Sequence, residues 1–284
     1  MLSHQLKQFL RLQRIAVGLA GLSFGLLLSV FSNWLSEQWI NLLPVVMGVA
    51  LISGVVSIFF FLRQPPLRIE VAIRAPRIIR SPEQARQYAR RGFVGFVPIY
   101  TPRRDSPAGQ ISPEEMRQAV ETLDFDRLQL EQSNLRPTIE AITSHASQLE
   151  HCWLLATQCQ QAAGSLPYAH LLAEYLRRSK GLKCKFHYGA AYVISLDDDA
   201  LVLSQTYDQI QQVLRQAARL ELAPRDLVAD ITTGFRSMTL GMILASLDRD
   251  QDVEFVGTRY DERGQPTAAL FPIIFSFEPN LEAK

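Results

Sequence analysis

The chain has 284 residues, 48% of them hydrophobic and 20% charged, with a formal net charge of +1. That length and apolar content are enough to bury a full core in one or two domains. Cys152, Cys159 and Cys184 are odd in number and show no Cys-x-x-Cys spacing, which argues against a disulfide scaffold or a zinc site and suits a reducing compartment.

The small net charge hides an uneven distribution. Residues 1–62 carry only Lys7, Arg11, Arg14 and Glu37, whereas ten arginines against Glu70 and Glu83 lie between Arg63 and Arg104. Two uncharged apolar runs, 15–31 and 39–62, are each long enough, or nearly so, to cross about 30 Å of hydrocarbon. The first is not read as a cleaved signal, because no small-x-small pattern follows it and a second run begins within ten residues. A buried hairpin in a soluble core is the alternative. Lys and Arg at both outer ends place both termini in the cytoplasm by the positive-inside rule, with Trp34 and Trp39 at the opposite interface. Gly21-x-x-x-Gly25 and Ala50-x-x-x-Gly54 suit close packing, either of the two spans or between subunits.

Gln64-Pro65-Pro66 ends the second run. Residues 67–74 alternate as a strand, Ser81-Pro82-Glu83 opens a helix to Arg91, and 92–100 reads as an apolar strand. The arginines from Arg86 to Arg104 form either a solvated basic face or a contact for anionic lipid heads; no basic helix or aromatic interleaving points to long nucleic acid. Ser112-Pro113-Glu114-Glu115 caps a helix to Thr122. Another helix covers 134–149, and its His145 reads as a surface or packing residue without an evident partner.

From His151 the pattern becomes βα. Residues 152–157 form a buried strand, 165–179 a helix, 184–188 a strand and 207–220 a helix. Thr157, Gln158 and Ser165, in the loop after the first of these strands, are candidate ligand residues, because open α/β sheets hold ligands at the carboxyl ends of strands. Residues 227–231 then form a short strand, followed by a polar turn and a helix over 238–247. In that turn Thr232 and Thr233 offer hydroxyls, Gly234 permits close backbone approach and Arg236 supplies a cation, a set suited to phosphate or a nucleotide edge. It is neither a Walker A loop nor a Gly-x-Gly-x-x-Gly fingerprint, and an ordinary strand-to-helix turn capped near Thr233 is the alternative. Residues 253–258 give the next strand, and 269–277 a last strand, antiparallel through the 264–266 turn. Arg259 and Tyr260 follow a strand end, where they either grip phosphate and stack on a base or form a solvated turn.

Asp230-Ile231-Thr232-Thr233-Gly234-Phe235-Arg236-Ser237-Met238 resembles the Asp-x-Thr-Gly-Gly-Thr-Lys-x-Met loop of CARF domains, the CRISPR-associated Rossmann folds. Asp230, Thr232, Gly234, Arg236 and Met238 match by type; Thr233 stands at a Gly position, Phe235 at a small polar one, and Arg236 replaces Lys. The likeness covers roughly residues 150–278. It implies a ligand site at a dimer interface and a cyclic oligoadenylate as ligand, cyclic tetra-adenylate first, made when a type III CRISPR complex detects foreign RNA.

The expected architecture is therefore α/β: a two-helix transmembrane hairpin (1–64), a juxtamembrane α/β segment (65–150) and a Rossmann-like, CARF-type doubly wound sensor domain (151–284). The expected function is sensing of cyclic oligoadenylate from the inner membrane of a prokaryote, with the sensor domain cytoplasmic and ligand binding coupled to a pore or to bilayer disruption. The partners expected are the ligand, the lipid bilayer and a second copy in a homodimer or larger homo-oligomer, without direct contact to long nucleic acid. No metal, cofactor or catalytic residue is expected. A ring nuclease acting on the same ligand and a non-enzymatic membrane scaffold are the alternatives.

Overall fold

The computed structural model describes Gly48, Leu51, Gly54 and residues 68–160, 164–247, 250–263 and 266–282. The chain divides into two compact units, one comprising residues 1–70 and 279–284 and the other Val71–Glu278. In the first, the described residues are helical Gly48, Leu51 and Gly54 and the strand residues 68–70 and 279–282.

The expected transmembrane hairpin is corrected: among the described residues no helix is long and apolar enough to cross a membrane. The longest described helix, Asp199–Arg219, has 21 residues but carries Asp199, Asp208, Arg215 and Arg219 along it, so it is amphipathic rather than apolar all round. Apart from Gly48, Leu51 and Gly54, the runs 15–31 and 39–62 lie outside the described residues.

The second unit is α/β. Its strands are β1 (Arg68–Ile73, which begins in the first unit), β2 (Arg77–Ile78), β3 (Gly92–Phe96), β4 (His151–Gln158), β5 (Lys185–His187), β6 (Val193–Ser195), β7 (Leu227–Asp230), β8 (Asp252–Tyr260) and β9 (Pro266–Glu282, which ends in the first unit). Its helices are α1 (Pro82–Tyr88), α2 (Pro113–Thr122), α3 (Phe125–Leu128), α4 (Arg136–Ser144), α5 (Leu166–Arg178), α6 (Asp199–Arg219) and α7 (Arg236–Ser246). The strands form one mixed sheet of order β1-β9-β8-β7-β3-β4-β5, with β2 on β9 and β6 on β4. From β8 to β5 all pairs are parallel, and β9 is antiparallel to β8. The chain leaves β3 towards β4 and β5, then returns to β7 and β8 on the other side. That reversal is the doubly wound arrangement, with its switch point between β3 and β7.

The sequence leaves open whether residues 67–150 complete the same sheet or form a separate layer, and the pairing of β3 answers it. Gly92–Phe96 is the middle strand, paired on one side to His151–Leu155 and on the other to Leu227–Asp230. Residues before 150 thus complete the same sheet. Its central strands are covered on both faces, which is why β4 reads as a continuous apolar run instead of alternating. One face packs Phe93, Leu154 and Val228 against Ile142 of α4 and Leu172 of α5. The other packs Phe96, Trp153 and Ala229 against Val213 of α6 and Met242 of α7. Truncating one of these large side chains to Ala removes apolar contact and leaves a cavity, at about 2–5 kcal/mol.

Local signals explain the helix starts. Ser112 accepts the Glu115 amide while Glu115 bonds back to the Ser112 amide at 2.9 Å, closing a capping box on α2. Asp198 accepts the Ala200 amide at the start of α6, and the stripe Val202, Thr206, Ile210, Val213, Leu214 and Ala217 turns inwards. α6 and α7 lie close together at Gly241, where an added Cβ would meet the Leu203 carbonyl at 2.8 Å.

Candidate functional site

The carboxyl ends of β3, β4 and β7 surround a cleft of about 420 Å³. Phe96, Val97, Pro98 and Ile99 line it from the end of β3. Thr157, Cys159 and Gly164 line it from the end of β4, and Leu196 from beyond β6. Gly234, Phe235 and Met238 complete it from the turn after β7 and the first turn of α7. Among the described residues no lining side chain is charged, and Thr157 and Cys159 are the polar ones. The cleft stands beside the switch point, where strands running in opposite winding directions part and leave room for a ligand.

The β7–α7 turn is built rigidly. Gly234 has φ +105°, a conformation that side chains disfavour, and its backbone lies against the Phe96 ring. The Thr233 hydroxyl donates to the Phe96 carbonyl at 2.7 Å, tying the turn to β3. The Thr232 hydroxyl donates to Asp230 Oδ1 and accepts the Val256 amide at 2.8 Å, tying the turn to β8. The Thr232 amide also donates to Asp230 Oδ1, at 3.0 Å. Both hydroxyls expected to meet a ligand are therefore committed to holding the turn in shape.

Asp230 is fully buried beneath the turn, where its Oδ1 holds Thr232. Burial first, and the neighbouring Glu254 carboxylate second, push its carboxyl up to about 8. Glu254 is its register partner on β8 and is equally buried. His145 ends the same chain of contacts. Its Nδ1 accepts the Arg90 amide at 3.1 Å, which leaves Nε2 as the donor to Glu254 Oε2 at 2.9 Å. The reading of His145 as an unpartnered surface or packing residue is thus replaced by a buried, doubly bonded one, a pairing across 109 residues that no local pattern announces.

The remaining expected residues divide. Thr157, Gly234 and Met238 line the cleft. Ser165 is buried behind it; its hydroxyl accepts the Thr157 amide at 2.8 Å, and its own amide donates to the Thr157 carbonyl, also at 2.8 Å, closing the loop after β4. Gln158 is exposed at the end of β4, opposite Ser195 of β6. Arg236 is exposed as the first residue of α7, and among the described residues no side chain pairs with it. Arg259 and Tyr260 end β8, with Tyr260 opposite Pro266 in the hairpin, and Arg259 is not among the described residues that line the cleft.

Sequence alone does not single out Phe96–Ile99, because residues 92–100 read as one continuous apolar strand. Pro98, which removes a backbone donor, was the available signal that the strand stops early. Leu196 and Cys159 carried no local signal.

At the mouth, α7 presents an uncapped amino terminus. Phe235 precedes it without a capping side chain, and the first helical bond runs from the Thr239 amide to the Phe235 carbonyl at 2.9 Å. The amides of the first turn therefore face outwards beside Arg236, with the positive end of the helix dipole behind them. Among the described residues no group of three or more His, Cys, Asp or Glu side chains is placed to hold a metal ion. Compared with protein-family models and with curated proteins, the chain matches none.

Proposed function

We propose that Val71–Glu278 is a nucleotide-sensing domain whose ligand is a cyclic oligoadenylate. The observation that carries this is the pairing of an apolar cleft, floored by Phe96 and Met238, with the uncapped, arginine-flanked start of α7 at its edge. A flat base buries its faces against such a lining, while a phosphate takes the outward amides and the Arg236 guanidinium. The resemblance of the Asp230–Met238 loop to CARF domains supplies the adenylate ring as ligand class, with cyclic tetra-adenylate first. A cleft of about 420 Å³ suits a compact ligand, so a four-nucleotide ring is read as shared between the clefts of two copies.

Isothermal titration of the full chain with cyclic tri-, tetra- and hexa-adenylate, beside Arg236→Ala, tests this. Binding of one ring size, weakened in the variant, is the expected result; absence of binding to all three rings overturns the reading. The mass of the ligand recovered after incubation separates passive sensing from the ring-nuclease alternative.

A further inference from the structure

Two buried oxygens lie unpartnered on neighbouring strands beneath the candidate loop. Among the described residues Asp230 Oδ2 and Glu254 Oε1 have no hydrogen-bond partner, although the other oxygen of each carboxyl is engaged. The two residues are register partners on β7 and β8 and point to the same face of the sheet. Two such carboxylates left ionised and facing in a dry site would repel, and each orphan oxygen would cost its full desolvation. One proton shared between the Asp230 and Glu254 carboxyls would remove both penalties.

We propose that Asp230 is a carboxylic acid at neutral pH, that its proton is shared with Glu254, and that this proton holds the Thr232–Thr233 turn in its ligand-binding form. The chain of contacts is then continuous. It runs from the Arg90 amide through His145 and Glu254 to Asp230, then through Thr232 to the Val256 amide. Losing the proton leaves two facing carboxylates and pushes Asp230, with the Thr232 hydroxyl bonded to it, out of place. The surroundings leave these groups to set the titration. From β8, Glu254 and Asp252 face the same side, and Asp252 is already bound by Arg77, Arg90 and Ser276. From α4, His145 bonds Glu254, and β3 presents only Gly95 opposite Asp230. The raised carboxyl of Asp230, at about 8, agrees with this geometry.

The affinity consequence depends on the proposed nucleotide ligand; the proton does not, so the two are read separately. Infrared difference spectra of the full chain without ligand, between about pH 6.5 and about pH 9.5, look for a protonated-carboxyl C=O band. A band that disappears with a midpoint near pH 8, and is absent from Asp230→Asn, is expected. Glu254→Gln removes the facing charge and should move that midpoint to lower pH. A wild-type protein with no Asp230-dependent band at neutral pH, or a midpoint unmoved in Glu254→Gln, overturns the shared proton. Affinity for cyclic tetra-adenylate should fall by about tenfold per pH unit above the midpoint, the slope for one linked proton, and Asp230→Asn should flatten that profile. A normal band with pH-independent affinity overturns the coupling to the turn. A normal band with no binding at any pH removes the nucleotide reading and leaves the proton in place.

Discussion

Phe96 and Gly234 stand against each other across the switch point: a Cβ built on Gly234 would lie 2.8 Å from Phe96 Cδ2. The ring therefore sets both the lining of the cleft and the path of the turn after β7. Gly234→Ala meets this ring and a φ of +105° at once. A cost of about 1–3 kcal/mol in stability is expected. It would be read as a lower melting temperature, together with weaker cyclic oligoadenylate binding, because the first turn of α7 moves with the backbone before it.

Thr233→Val keeps the shape of the side chain and removes the hydroxyl that holds the turn to the Phe96 carbonyl. About 1–2 kcal/mol should be lost, since a carbonyl loses its donor where water has limited access. Urea denaturation of both proteins gives the number, and an unchanged midpoint would show that the turn keeps its path without this bond.

Arg236→Ala should separate binding from folding. The side chain is exposed and unpaired among the described residues, so the melting temperature should stay within the small range typical of surface changes. Ligand affinity should fall by roughly tenfold to a hundredfold, as expected for a lost bond between a guanidinium and a phosphate. Equal affinity in titration would place the phosphate elsewhere.

A second titratable pair joins β4 and β5. His151 Nδ1 and His187 Nε2 are 2.9 Å apart, with the His187 ring stacked on Trp153. Burial lowers His187 to about 4, helped by the charges of His151 and Lys185, and burial lowers His151 as well. Unfolded histidines bind protons from about pH 6.5 downwards, before the native ones do. The unfolded state thus holds more protons between about 6.5 and about 4, and stability is lost as pH falls through that window. Asp230 acts in the opposite sense, because its folded carboxyl is raised: its contribution is present at low pH and lost as pH rises towards about 8. Comparing urea midpoints of wild type and His187→Asn at about pH 7 and about pH 4.5 isolates the histidine part, and a parallel shift in both proteins would refute it.

Asp252 anchors the outer part of the sheet. Its Oδ2 accepts Arg90 Nε at 2.7 Å, while its Oδ1 accepts the Arg77 guanidinium and, at 2.8 Å, the Ser276 hydroxyl. Asp252→Ala would leave two half-buried guanidiniums without their acceptor and should cost about 3 kcal/mol. A loss of much less than this, read as the urea midpoint, would mean that water replaces the carboxylate.

Much of the architecture could be read from local pattern. The apolar run at 152–157 gave β4, the spacing of Ile210, Val213, Leu214 and Ala217 gave the inner face of α6, and the Ser112 capping box gave α2. The polar turn after β7 stands out as a candidate because its composition is local as well, and Gly234 and Met238 line the cleft. Pairing between distant segments was another matter. That Gly92–Phe96 is the middle strand, that Phe96–Ile99 supplies one wall of the cleft, and that His145 bonds Glu254 are facts of register between segments up to 137 residues apart. Residue type shows what a side chain is able to bond; only the tertiary structure decides whether that capacity is spent inside the protein. Thr232, Thr233 and Asp230 have the right chemistry for a ligand, yet the fold uses them to hold the loop, because β3 and β8 bring backbone partners within reach of the two hydroxyls.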